Sequence, residues 1–140
     1  MIIPNLMVTD MSKSIAFYRD GLGMKLKMTV KADRSFGLAA EADPEGAVFA
    51  VLDWNGAEIM LQTNESLSEE LEIFSPAQKP SPAGTVYFRG FDGRTVINNL
   101  SSASIIKGPG LAWYGMLELY VRDPDGHVIC LACPDGPTPV

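Results

Sequence analysis

Histidine occurs once in these 140 residues and cysteine twice, and the 11 lysines and arginines fall short of the 17 acidic residues. Each shortage removes a class of function. With a formal net charge of −6, the chain lacks the concentrated basic surface that a phosphate backbone demands, so nucleic-acid partners are not expected. No apolar run reaches the length of a membrane span, so no membrane partner is expected either. The opening "MIIPNLMVTD" has no basic region and is interrupted by Pro4, Asn5 and Asp10. A signal peptide is therefore not expected, and the protein reads as cytoplasmic. Cys130 and Cys133 form a C-x-x-C within a strand pattern. Positions three apart on a strand face opposite sides, which suits two buried thiols better than a shared metal or a disulfide. The lone histidine, His127, sits beside a turn and reads as a turn or surface residue.

What the chain does have is an internal echo. "DWNGAEIMLQTN" (53–64) and "DPDGHVICLACP" (123–134) share an Asp-x-x-Gly turn followed by Ile and Leu at matching places. Adding 70 carries Asp53, Gly56, Ile59 and Leu61 onto Asp123, Gly126, Ile129 and Leu131. Adding 82 carries Leu6, Asp10, Ile15 and Tyr18 onto Phe88, Asp92, Ile97 and Leu100. Residues 2–8 alternate as a strand. "DMSKSIAFYRDGLG" follows as a helix capped by Asp10 or Ser12 and ended by Gly21, with Met11, Ile15, Tyr18 and Leu22 as its buried stripe. Strands follow at 24–32, 47–53 and 57–63, with 33–46 a loop containing a poorly defined strand portion. Then come a polar linker in which "LSEELEIF" is the candidate for a helical turn, a strand "TVYFRG", a second helix "DGRTVINNLSSA", a short strand "SIIK", a loop "GPGLAWYG", and strands "MLELYVR" and "HVICLAC". The expected organisation is one α+β domain of two βαβββ modules: module one 1–63, linker 64–83, module two 84–134, and a flexible tail 135–140.

The hydrophobic pattern also sets the faces. "DPDG" suits a three-residue loop with a bulge, opposing Tyr120 to Cys130 and Glu118 to Ala132. Leu119, Val121, Ile129 and Leu131 then face a helix, and Glu118, Tyr120, Cys130 and Ala132 face away. The same turn in module one puts Phe49, Val51, Ile59 and Leu61 on the helix side, with Val48, Ala50, Met60 and Gln62 opposite. On the opening strands Leu6, Val8, Val86 and Phe88 face the helix, while Ile3, Asn5, Met7, Thr85, Tyr87 and Arg89 face the other way. Two curved mixed sheets of this kind should enclose a partly polar trough.

The stretches "PNLMVTDMSKSIAFYRDGLGM" and "YGMLELYVRDPDGHVICL" carry a resemblance to the glyoxalase/bleomycin-resistance/dioxygenase superfamily, also called the vicinal oxygen chelate fold. The resemblance runs from Ile3 to about Pro134, and the opening "IPNL" is most similar to the bleomycin-resistance branch. Metal-dependent members take one ligand, His or Glu, from each of four strands. Those places fall here on Ile3, Met60, Thr85 (Gly84 one residue away) and Cys130, which is no donor set for a hard divalent ion. The resemblance therefore implies no metal, no cofactor and a small-molecule-binding protein of the antibiotic-resistance kind. Expected ligand-binding residues are Asn5, Met60, Gln62, Tyr87, Arg89, Trp113, Tyr114, Glu118, Tyr120 and Cys130. Glu118 has a structural alternative as partner of Arg89. The acidic charge and the aromatic rings favour a cationic, partly planar ligand, whereas Arg89 would recruit an anionic group. The competing reading is a lyase, isomerase or dioxygenase using Glu118 as base or Cys130 as nucleophile, neither with a histidine partner. Relatives pair their modules across a two-fold axis, so a homodimer with two equivalent crevices is expected.

Overall fold

The computed structural model describes Met1–Asp135; all of the tail but Asp135 lies outside the described residues. The chain divides into two compact units, Met1–Pro80 and Ser81–Val140.

The first unit is built on a five-stranded mixed sheet. Its strands are β1 (Asn5–Val8), β2 (Lys25–Lys31), β3 (Phe36–Leu38), β4 (Ala47–Trp54) and β5 (Ala57–Thr63), arranged β1-β5-β4-β2-β3. β1 runs parallel to β5, and the other neighbours are antiparallel. Between β1 and β2 lies α1 (Met11–Ala16), which continues as a π-helical turn over Phe17–Gly21. The Asp10 carboxylate accepts from the Lys13 N–H at 3.1 Å and so caps α1. Met11, Ile15, Tyr18 and Leu22 are all buried, and they form the apolar stripe that the spacing anticipates.

The second unit carries β6 (Thr85–Arg89), β7 (Ile105–Leu111), β8 (Met116–Arg122) and β9 (Val128–Pro134) in the order β6-β9-β8-β7, with β6 parallel to β9. The internal repeat survives in the registers. Leu6 pairs with Leu61 and Asn5 with Met60; their counterparts Phe88 and Tyr87 pair with Leu131 and Cys130. Met60 and Cys130 are thus equivalent places beside equivalent parallel strands.

The structure corrects four expectations. The second helix does not form: residues 93–104 make three separate 3₁₀ turns, Gly93–Thr95, Ile97–Asn99 and Ser102–Ser104. Glycine, β-branched residues and two asparagines are weak helix formers, and nothing there offsets them. Gly93 is moreover required where it stands, since a Cβ there would sit 2.7 Å from the Leu119 Cβ. The linker opens with a helix, α2 (Asn64–Glu70), capped by the Thr63 hydroxyl and anchored by buried Leu67. "GPGL" is strand rather than loop, because β7 is an edge strand whose register shifts accommodate glycine and proline.

The fourth correction concerns the first hairpin. "DPDG" makes the anticipated loop: Asp123 N–H donates to His127 O at 2.9 Å, Gly126 N–H to Asp123 O at 3.0 Å, and Gly126 has φ 86°. The Asp123 carboxylate adds bonds from the Asp125 and His127 N–H groups at 2.9 and 2.8 Å. "DWNG" instead closes on two residues, Asn55 (φ 49°) and Gly56 (φ 86°), pairing Asp53 with Glu58 and Ala50 with Leu61. Asn-Gly favours the turn with both φ positive, and Pro124 forbids it in the other copy. The side chains from Phe49 to Leu52 therefore reverse face. Ala50 and Leu52 join Ile59 and Leu61 in the core under α1, while Phe49 and Val51 lie opposite with Gln62 and Met60.

Candidate functional site

In the first unit, the sheet face away from α1 borders a cavity of about 620 Å³. Its floor is apolar, from Val30, Phe49 and Met60 on β2, β4 and β5. Its polar side is organised by Gln62, which is buried. The Asn5 Nδ2 donates to Gln62 Oε1 at 2.9 Å, and Gln62 Nε2 donates to Ser66 Oγ at 2.9 Å and to Glu70 Oε2 at 3.0 Å. β1 and α2 thus fix the one amide that β5 carries, which cannot turn without breaking all three bonds. Arg34, Glu65 and Glu69 complete the rim. Asn5, Met60 and Gln62 were legible as lining residues. Phe49 was not, because of the reversed hairpin register, and Ser66, Glu69 and Glu70 were not, because α2 reads as linker.

The second unit gathers the aromatic and acidic candidates. Glu118, 7% exposed, accepts on Oε2 from the Tyr87 hydroxyl at 2.7 Å and the Tyr114 hydroxyl at 2.5 Å. Burial, then the hydrogen bond to Glu118, holds the Tyr87 phenol well above its ordinary range; for Tyr114 the Glu118 bond is the leading cause of a rise. The expected Arg89–Glu118 partnership does not occur among the described residues, since two phenols on neighbouring segments reach the carboxylate instead. Arg89 is exposed at the end of β6. Trp113 is 94% exposed and meets the Tyr114 ring edge-on, with centroids 5.3 Å apart. Tyr120 lies opposite Cys130 across β8 and β9. Burial raises the Tyr120 phenol to about 12 and the Cys130 thiol to about 11. A wholly buried, protonated thiol is a poor nucleophile. Cys133 is half-buried rather than buried, and both thiols are free.

A metal of the kind the fold family implies does not fit these residues. The four inherited positions supply an alkyl chain, a thioether, a hydroxyl and the Cys130 thiol, which burial keeps protonated. Among the described residues no three His, Cys, Asp or Glu side chains cluster as a metal site.

No functionally curated protein shows significant similarity to the chain. Solved structures do. A protein of unknown function from Agrobacterium tumefaciens aligns with a TM-score of 0.70 at 22% identity, over 96% of this chain and 94% of its own. A glyoxalase/bleomycin resistance protein/dioxygenase from Nocardioides gives a TM-score of 0.64 at 17% identity, over 99% and 85%. A family enzyme of the same description from Burkholderia phytofirmans gives 0.65 at 18%, over 95% and 97%. These identities speak for the fold alone. The registers of β1–β5 and β6–β9 show the repeated module, and the family's sequence profile matches residues 3–131. On that match the chain belongs to the Glyoxalase/Bleomycin resistance protein/Dioxygenase superfamily.

Proposed function

We propose that the protein binds a small molecule without metal, holding it in the cavity of the first unit, and acts by sequestering a drug-like compound. The carrying observation is that cavity: about 620 Å³, an apolar floor, and one buried amide held in a single orientation. Binding sites for drug-sized molecules have this size, and fixed polar groups such as this amide orient their ligands. The inherited ligand positions and the protonated Cys130 thiol speak against the lyase, isomerase and dioxygenase alternatives. Among the described residues no helix is long and apolar enough to cross a membrane. The reading places the protein in the cytoplasm as a homodimer.

The test is a thermal-shift screen of drug-like compounds against the wild type and Met60→Trp. Met60 is partly exposed on the cavity floor, so an indole there fills space rather than a packed core. Hits should raise the wild-type melting temperature and lose that effect in Met60→Trp. Hits that stabilise both proteins equally would place the ligand elsewhere, and a screen without hits would leave the cavity without the proposed role.

A further inference from the structure

The cavity of the first unit is lined by charges of both signs that stand apart. Gln62, Phe49 and Val30 lie opposite one another on β5, β4 and β2, so they form one row across its floor. Neighbouring strands are about 4.8 Å apart, which sets the two ends of that row about 10 Å from each other. At the Gln62 end, α2 brings Glu65, Glu69 and Glu70 to the lining. At the Val30 end the chain leaves β2 through Lys31 and turns toward β3, bringing Arg34 to the lining. Two of these charges are already engaged. Glu70 accepts from the Gln62 amide, and Lys31 is tied to Asp43 at 2.9 Å. Arg34, Glu65 and Glu69 are exposed and make no ion pair among the described residues. Unpaired charges are ordinary on an open surface, but these three border one cavity with an apolar floor between them.

We infer that this cavity, read above as a small-molecule site, takes an elongated zwitterion: Arg34 holds a carboxylate, Glu65 and Glu69 hold a protonated amine, and Phe49 and Val30 carry the apolar body. The inference rests on that reading and adds the class of ligand. A guanidinium can grip a carboxylate with two parallel hydrogen bonds, which suits Arg34 to the anionic end. Opposite charges on facing sides of a cleft create a field along it. A zwitterion is attracted at both ends in one orientation and repelled at both in the other. A simple cation gains only from the α2 side, and a simple anion gains at Arg34 while the glutamates repel it. An extended tripeptide has a matching span, since its three residues cover about 10 Å.

Calorimetric titration with glycyl-phenylalanyl-glycine tests the inference, alongside its N-acetylated, C-amidated and doubly blocked forms, which lack the positive charge, the negative charge or both. At low salt the free peptide should bind roughly threefold tighter than each blocked form, the scale of exposed ion pairs. Added salt should narrow the gap. Arg34 has φ 70°, which asparagine tolerates, so Arg34→Asn should keep the turn and erase the free peptide's advantage over the C-amidated form. Glu65→Gln combined with Glu69→Gln should erase its advantage over the N-acetylated form. Met60→Trp, which fills the floor, should abolish binding of the free peptide. Four forms that bind equally, and lose binding in Met60→Trp, would overturn the inference and leave the small-molecule reading standing. A C-amidated form that binds as tightly as the free peptide would do the same. A free peptide that does not bind would also overturn the inference, and the drug-like hits of the thermal-shift screen then decide the small-molecule reading separately.

Discussion

Replacing Glu118 by glutamine removes a charge while keeping the shape of the side chain, so the consequences can be worked from two bonds. Tyr87 and Tyr114 donate to one carboxylate oxygen at 2.7 and 2.5 Å. Hydrogen bonds to charged groups contribute about 1.5–3 kcal/mol against about 1 for neutral pairs. Tyr87 is 39% exposed, so its hydroxyl has some recourse to water and the low end applies. The expected loss is about 1–2 kcal/mol, read as a lower urea midpoint. Phenol absorbance against pH gives a sharper signal. Tyr114 should lose the larger share of its rise, because Glu118 leads it, whereas Tyr87 should keep more of its own, because burial leads there. The sign for stability follows from linkage. A phenol raised on folding contributes stability that is present below its unfolded value and lost as pH rises toward the folded one. The alkaline decline above pH 10 should therefore be shallower in Glu118→Gln than in the wild type. Identical phenol titrations in the two proteins would refute the assignment of Glu118 as the shared acceptor.

Gly93→Ala should cost about 1–3 kcal/mol in urea unfolding, since its methyl would meet Leu119 at 2.7 and 2.9 Å in a packed core; a neutral substitution would contradict the close packing. The Cys130 thiol, raised from 9.0 to about 11, should make stability fall as pH climbs through that window, by about 2–3 kcal/mol, and Cys130→Ala should flatten the fall; in native protein at pH 8 a thiol reagent should modify Cys133 before Cys130. Light scattering at micromolar concentration should return a dimer mass, and a monomer would remove any role for a site shared between two copies.

Much of the fold was legible because burial imposes a period. The α1 stripe, the strand "MLELYVR" and the loop of "DPDG" follow from spacing and turn chemistry that no other part of the chain opposes. The errors have physical causes. "DWNG" and "DPDG" look alike as letters, but Pro124 stands where Trp54 pairs with Ala57 and has no N–H for that pair, and one residue of register reverses the faces of Phe49–Leu52. Val96, Ile97 and Leu100 fall at helical spacing, yet the segment around them lacks the backbone propensity to hold a helix, and Gly93 is tied to Leu119. The first-unit cavity was half legible: Asn5, Met60 and Gln62 come from strand alternation. Ser66 and Glu70 belong to a seven-residue helix whose polar composition gives no periodic signal. The Tyr87–Glu118–Tyr114 cluster could not be read as bonds, since which oxygen accepts which phenol depends on how β6, β8 and the turn before β8 pack.

The central claim, binding without metal, is tested most directly by calorimetric titration of a screening hit into protein stripped with a chelator, alongside elemental analysis of the same sample. The account predicts no stoichiometric transition metal and an affinity the chelator leaves unchanged. Loss of binding on stripping, restored by one equivalent of zinc, nickel, manganese or iron per chain, would contradict it.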